Sequence, residues 1–105
     1  MQYSMDDFDN MIREDFSFVY ITSEGCNVCK VLAPKLEEMA EKFPKSSFHR
    51  ISLDYNQLAK SKFMAFAIPT LVVYSGGQEL LRSSRHVDLY DVETKLTRYY
   101  DMIFS

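Results

Sequence analysis

The sequence predicts an α/β fold, a mixed sheet of four to five strands with helices on both faces. Three observations carry that expectation. Strand-like and helix-like patterns alternate through the first half of the chain, which implies parallel pairing through crossovers. The run FSFVYIT, Phe16 to Thr22, is aromatic and β-branched with almost no polar face, as suits a central strand covered on both sides. Late in the chain Gly76-Gly77 separates two apolar runs, a tight turn closing an antiparallel hairpin.

The elements follow in order. Ser4 caps a first amphipathic helix that carries Met5, Phe8, Met11 and Ile12. After the strand to Thr22, Ser23-Glu24-Gly25 makes a turn. Leu32, Leu36, Met39, Ala40 and Phe43 then keep helical spacing up to Pro44. Pro34 falls inside that helix and should kink it, because it lacks an N–H and crowds the preceding turn. Ser47 to Leu53 reads as the second strand, with Asp54 expected to cap a helix through Tyr55–Met64. Thr70 to Tyr74 is the third strand and Glu79 to Ser84 the fourth. Asp88 caps a last helix whose Leu89, Val92, Leu96, Tyr99 and Ile103 share a face. The predicted order is α-β-α-β-α-β-β-α.

At 105 residues the chain is expected to form one domain, 1–105, with a single core. It is 47% hydrophobic and 26% charged, which argues against disorder. A net charge of -3 argues against general affinity for nucleic acid or anionic membranes. The longest apolar run, Phe66 to Tyr74, contains Pro69 and is too short to span a bilayer. The acidic, periodic start MQYSMDDFDNMIRED is unlike a secretory signal. Read as a full-length chain it is expected in the cytosol, where structural disulfides are rare.

Both cysteines of the chain, Cys26 and Cys29, lie three positions apart in GCNVCK. Such a pair can hold a metal, staple the fold, or cycle between dithiol and disulfide. Cys26 at a helix N-terminus faces unpaired backbone N–H groups and the positive end of the macrodipole, which favours its thiolate. Cys29, one turn on, should be shielded and wait as a thiol to attack a mixed disulfide. Lys30 adds positive charge nearby and Glu24 an opposing negative one. Zinc normally takes four ligands, and His49 and His86 have no zinc-like spacing, so a metal reading requires two chains sharing one ion.

With its CxxC at a strand–helix junction and Ala67-Ile68-Pro69-Thr70 before a later strand, the chain resembles the thioredoxin family over nearly its whole length. Cys26, Cys29 and Lys30 match the family's Trp-Cys-Gly-Pro-Cys-Lys, and Pro34 matches its helix-kinking proline. Asp54 and Gly77 also fall where the family commonly has aspartate and glycine. The resemblance implies a thioredoxin fold and a redox-active Cys26–Cys29 disulfide, with no other cofactor and no metal. It implies a cis Pro69 beside the dithiol, and an Ile68 whose N–H and C=O hold substrate strand-wise. Gly25, Asn27, Val28, Ile68, Pro69, Thr70 and Arg85 are the implied substrate-binding positions, with Lys30 and Pro69 in support. The implied partners are disulfide-bearing proteins and a reductase or low-molecular-weight thiol as electron donor, the chain acting as a monomer.

Several positions depart from the family pattern. Tyr20 stands where thioredoxins keep a buried aspartate, six residues before the first cysteine. With a phenol pKa of about 10, tyrosine is a poor proton acceptor near neutral pH. Thr22 and Gly25 replace the two flanking tryptophans, and Arg85, followed by His86, replaces a glycine in the loop bordering the groove. The family's leading strand is missing or reduced to MQYS, which favours four strands. Between the cysteines, Val28 cannot hydrogen-bond a thiolate, so the pair is expected to be reducing. The leading expectation is reduction of protein disulfides. A redox-weak binding module and a zinc-bridged dimer are the alternatives.

Overall fold

In the computed structural model, which describes residues 2–105, the first helix begins at Ser4. The Ser4 hydroxyl accepts the Asp7 N–H at 3.1 Å and the Asp7 carboxylate accepts the Ser4 N–H at 2.8 Å. This reciprocal cap satisfies two backbone donors at the start of α1 (Met5–Arg13). Ser4→Ala is expected to cost about 1 kcal/mol, read as a lower urea midpoint at unchanged slope.

Strands β1 (Ser17–Thr22), β2 (Ser47–Ser52), β3 (Thr70–Ser75) and β4 (Gln78–Ser84) form one sheet in the order β2-β1-β3-β4. β1 runs parallel to β2 and antiparallel to β3, and β3 and β4 form the expected hairpin. Among the described residues the sheet therefore has four strands. Residues 2–4 form no strand, and Met1 lies outside the described residues. Gly76 and Gly77 turn the hairpin at φ of 55° and 92°, left-handed backbone that suits glycine.

Every residue of β1 is buried, as its apolar run implied. Alternation sends Phe18 and Tyr20 to one face and Val19 and Ile21 to the other. On the first face they meet Ala33, Leu36 and Met39 of α2 (Asn27–Ala40) and Val92 and Leu96 of α4 (Leu89–Phe104). On the second they meet Phe8 and Met11 of α1 and Ala59 of α3 (Ala59–Lys62). Helices thus cover both faces. Among the described residues no helix is long and apolar enough to cross a membrane.

Three expectations need correction. α2 ends at Ala40 rather than Phe43, because the Lys42 and Phe43 N–H groups tighten onto the carbonyls of Met39 and Ala40. The helix expected through Tyr55–Met64 is only Ala59–Lys62, and Asp54 does not cap it. Buried Asn56 intervenes: its side chain donates to the Ser52 carbonyl and accepts the Tyr3 N–H, holding the segment in turns. On α4, Val92 and Leu96 are buried and Leu89 and Tyr99 half-buried, but Ile103 is 40% exposed.

Candidate active site

β1 ends at Thr22, and the chain turns through Ser23–Gly25 to Cys26, the N-cap of α2. Cys26 has extended backbone, and its sulfur accepts the Cys29 N–H at 3.1 Å. The two cysteines form a disulfide, with Cα atoms 5.3 Å apart. Their exposures differ sharply: Cys29 is 0% exposed, whereas Cys26 is half-buried at the surface of the same cluster. Gly25, Asn27, Val28 and Lys30 are all exposed around the pair. The Asn27 side chain makes no hydrogen bond among the described residues.

Two supports hold this turn. The Asp54 carboxylate accepts the Glu24 N–H at 2.6 Å and the Ser52 hydroxyl at 3.2 Å, tying the turn before Cys26 to the end of β2. Beyond it, the Tyr55 hydroxyl is held above its ordinary pKa by its hydrogen bond to the Glu24 carboxylate. A cleft of about 370 Å³ opens here, lined by Glu24, Lys30, Arg50, Ser52 and Tyr55 among others. Lys30 and Arg50 have no carboxylate partner among the described residues. Behind the pair, the buried Tyr20 hydroxyl donates to the Cys29 carbonyl at 2.9 Å. Burial holds that phenol above its ordinary pKa, against the opposing charge of Arg50.

Register explains why the distant proline loop arrives at the same place. Ile21 of β1 lies opposite Thr70 of β3, so the chain leaving β1 and the chain entering β3 share one end of the sheet. Ile68 packs against the cluster that contains Cys29, and the Ile68–Pro69 peptide is cis, as the resemblance implied. Pro69 has no N–H, and its carbonyl accepts the Arg85 N–H at 2.8 Å. The N–H and C=O of Ile68, by contrast, have no partner among the described residues. Thr70 is fully buried, its hydroxyl turned back onto the Ala67 carbonyl and against Ser84. Arg85 has φ of 65°, the left-handed conformation that glycine adopts freely. That conformation costs another residue on the order of 1–2 kcal/mol. Exposed His86 follows Arg85 in the loop.

Sequence reasoning thus located both cysteines and the proline loop, and the structure brings them to one end of the sheet. It missed the Asp54 latch and the Tyr20–Cys29 bond. An acidic residue after a strand does signal a nearby N–H to accept, but the N–H it finds is that of Glu24, in the turn after the neighbouring strand. Among the described residues no group of three or more His, Cys, Asp and Glu side chains could hold a metal ion.

Comparison with known proteins places the chain. The profile of the family described as Thioredoxin matches residues 1–98. The chain is 33% identical over 99 residues to the "Thioredoxin-like protein YdfQ" of Bacillus subtilis (strain 168), covering 93% of this chain and 88% of that protein. It is also 33% identical over 73 residues to a thioredoxin of Staphylococcus aureus, covering 69% of this chain and 70% of that one. Among solved structures, thioredoxin from Trypanosoma brucei brucei superposes with a TM-score of 0.84 at 24% identity, covering 96% of this chain and 90% of that chain; this likeness bears on the fold alone. Fasciola hepatica thioredoxin superposes with a TM-score of 0.73 at 27% identity, covering 89% of each chain. Sequence profile, relatives and fold agree: the chain belongs to the thioredoxin family, and its Cys26–Cys29 pair is that of a thiol–disulfide oxidoreductase.

Proposed function

We propose that the chain reduces disulfides in protein substrates, with Cys26 as nucleophile and Cys29 as the resolving thiol. The observation that carries this reading is the unlike setting of the two sulfurs. Cys26 caps α2 and accepts the Cys29 N–H, while Cys29 is sealed in the core. In the dithiol state that N–H and the helix dipole both stabilise a thiolate on Cys26.

The Cys26 thiolate attacks one sulfur of the substrate disulfide. A new sulfur–sulfur bond forms, the old one breaks, and the first substrate thiolate leaves. Cys29 then loses its proton and attacks the Cys26 sulfur, the pair closes, and the second substrate thiolate departs. The substrate gains two electrons and the protein loses two. During both steps the open N–H and C=O of Ile68 pair with an extended substrate segment, as an added strand would. Asn27 and Val28, exposed and without hydrogen bonds to Cys26, support a reducing pair. A reductase or low-molecular-weight thiol restores the dithiol. No cofactor beyond the cysteine pair takes part, and a cytosolic monomer fits this reading.

Insulin reduction by dithiothreitol, with and without the protein, tests it. Catalysis should exceed the uncatalysed rate at least about tenfold at micromolar protein, the gain expected when the attacking thiol is largely ionised near neutral pH. A rate no faster than dithiothreitol alone would leave a thioredoxin-fold binding module as the better reading.

A further inference from the structure

The groups around Cys29 differ in what they can do with a proton. Tyr20 is 0% exposed, in the central strand of the sheet. Its single O–H is committed to the Cys29 carbonyl at 2.9 Å. The peptide joining Cys29 to Lys30 is therefore held at both ends, because its N–H donates to the Cys26 carbonyl at 3.3 Å. From β2, Arg50 stands beside Tyr20 in register, and the Phe48 ring lies 6.3 Å away. From β3 the register partner is Leu71. α2 contributes Cys26, Cys29 and Lys30, and α4 adds Val92, Leu96 and the half-buried Tyr99. None of these is a carboxylate or a histidine. The buried polar residues among those described are Ser17, Thr22, Asn56 and Thr70. Glu24 is exposed and engaged by Tyr55, and His49 is paired with Glu14.

We infer that Tyr20 is a positioning residue for the resolving step, fixing the first turn of α2 through the Cys29 carbonyl. Among the described residues no buried carboxylate or histidine can receive the Cys29 proton, which passes to solvent or to the departing substrate thiolate. This inference rests on the proposed roles of the two cysteines. Its chemistry balances without another reactant: the Cys29 S–H bond breaks, its electron pair forms the bond to the Cys26 sulfur, and the Cys26–substrate bond breaks toward the substrate. The phenol stays a neutral donor throughout. A hydrogen bond from it also polarises the Cys29–Lys30 peptide, strengthening the Lys30 N–H as a donor to the Cys26 carbonyl.

The test mixes the reduced chain with excess dithiobis(nitrobenzoate) in stopped flow between pH 5 and 9, where the first equivalent of thionitrobenzoate reports attack by Cys26 and the second, slower equivalent reports resolution by Cys29. This readout does not require turnover of a protein substrate, so failure of the proposed function and failure of this inference are separable. Release of the second equivalent should quicken about tenfold per pH unit from pH 6 to 8, following ionisation of the Cys29 thiol alone. A plateau or second inflection between pH 5 and 8 would reveal an internal base and overturn the proton route. Tyr20→Phe should slow release several-fold at every pH with the slope unchanged. The first attack by Cys26, read separately in the Cys29→Ser background, should change less than twofold. Equal slowing of both steps, or of neither, would reduce Tyr20 to a packing role. Because the pH profile uses the unsubstituted chain, the proton route is tested even if Tyr20→Phe fails to fold.

Discussion

The Cys29→Ser protein is expected to accumulate mixed disulfides with its substrates through Cys26, while Cys26→Ser accumulates almost none. The expectation follows from exposure: Cys26 is half-buried at the mouth of the site and Cys29 is 0% exposed beneath it. With Cys29 absent, nothing in the chain can resolve the first adduct, since no other cysteine exists. With Cys26 absent, a disulfide must reach a sulfur sealed in the core. That sulfur also lies beyond the first N–H groups of α2, where less of its thiol is ionised. The ratio of adducts, read by mass after non-reducing separation, should exceed about tenfold. Equal trapping by the two variants would exchange or erase the assigned roles.

Phe18→Ala is expected to cost about 3–5 kcal/mol, a large fraction of the roughly 5–15 kcal/mol that stabilises a typical fold. Phe18 is 0% exposed in β1, with the rings of Phe16, Phe43 and Phe48 at 5.9, 6.1 and 6.1 Å. Removing it opens a cavity bordered by strand neighbours that cannot move independently, so the void persists. Phe66 is the internal control. At 68% exposed it is the same residue type with little to lose, and Phe66→Ala should stay within about 0.5 kcal/mol. Urea unfolding of both variants decides the matter, and a Phe18→Ala loss under about 1 kcal/mol would mean that the core repacks around the gap.

The two phenylalanines also show what was legible in the chain. Phe18 lies in an unbroken aromatic and β-branched run, and such a run has only one good solution, burial on both faces. The cysteine pair was legible for a similar reason: CxxC after a strand and before helical spacing puts one sulfur at the cap and one inside. Asp54 and Asn56 were not. Each is a short polar side chain that can serve any nearby backbone group, and sequence order favoured the following helix for Asp54. The three-dimensional neighbours were the Glu24 N–H for Asp54, and the Ser52 carbonyl and Tyr3 N–H for Asn56. Tyr20 was legible as buried, but its bond to the Cys29 carbonyl depends on how α2 lies over β1. Ile103 was placed inward by helical spacing alone, but at this end of α4 the face that meets the core runs through Tyr100 and Phe104, whose rings pack on Phe16.

The absence of a strand from residues 2–4 has a consequence at the far border of the sheet. β2 pairs with β1 along one side, and its other side has no strand partner among the described residues. Bare strand borders recruit other chains, and six residues offer about 20 Å of unpaired backbone for such growth. What stands guard there is side-chain chemistry: an exposed Arg50 in mid-strand, and His49 held by Glu14. Resistance to strand-wise self-association along β2 therefore rests on a few charged and polar groups rather than on the depth of the core.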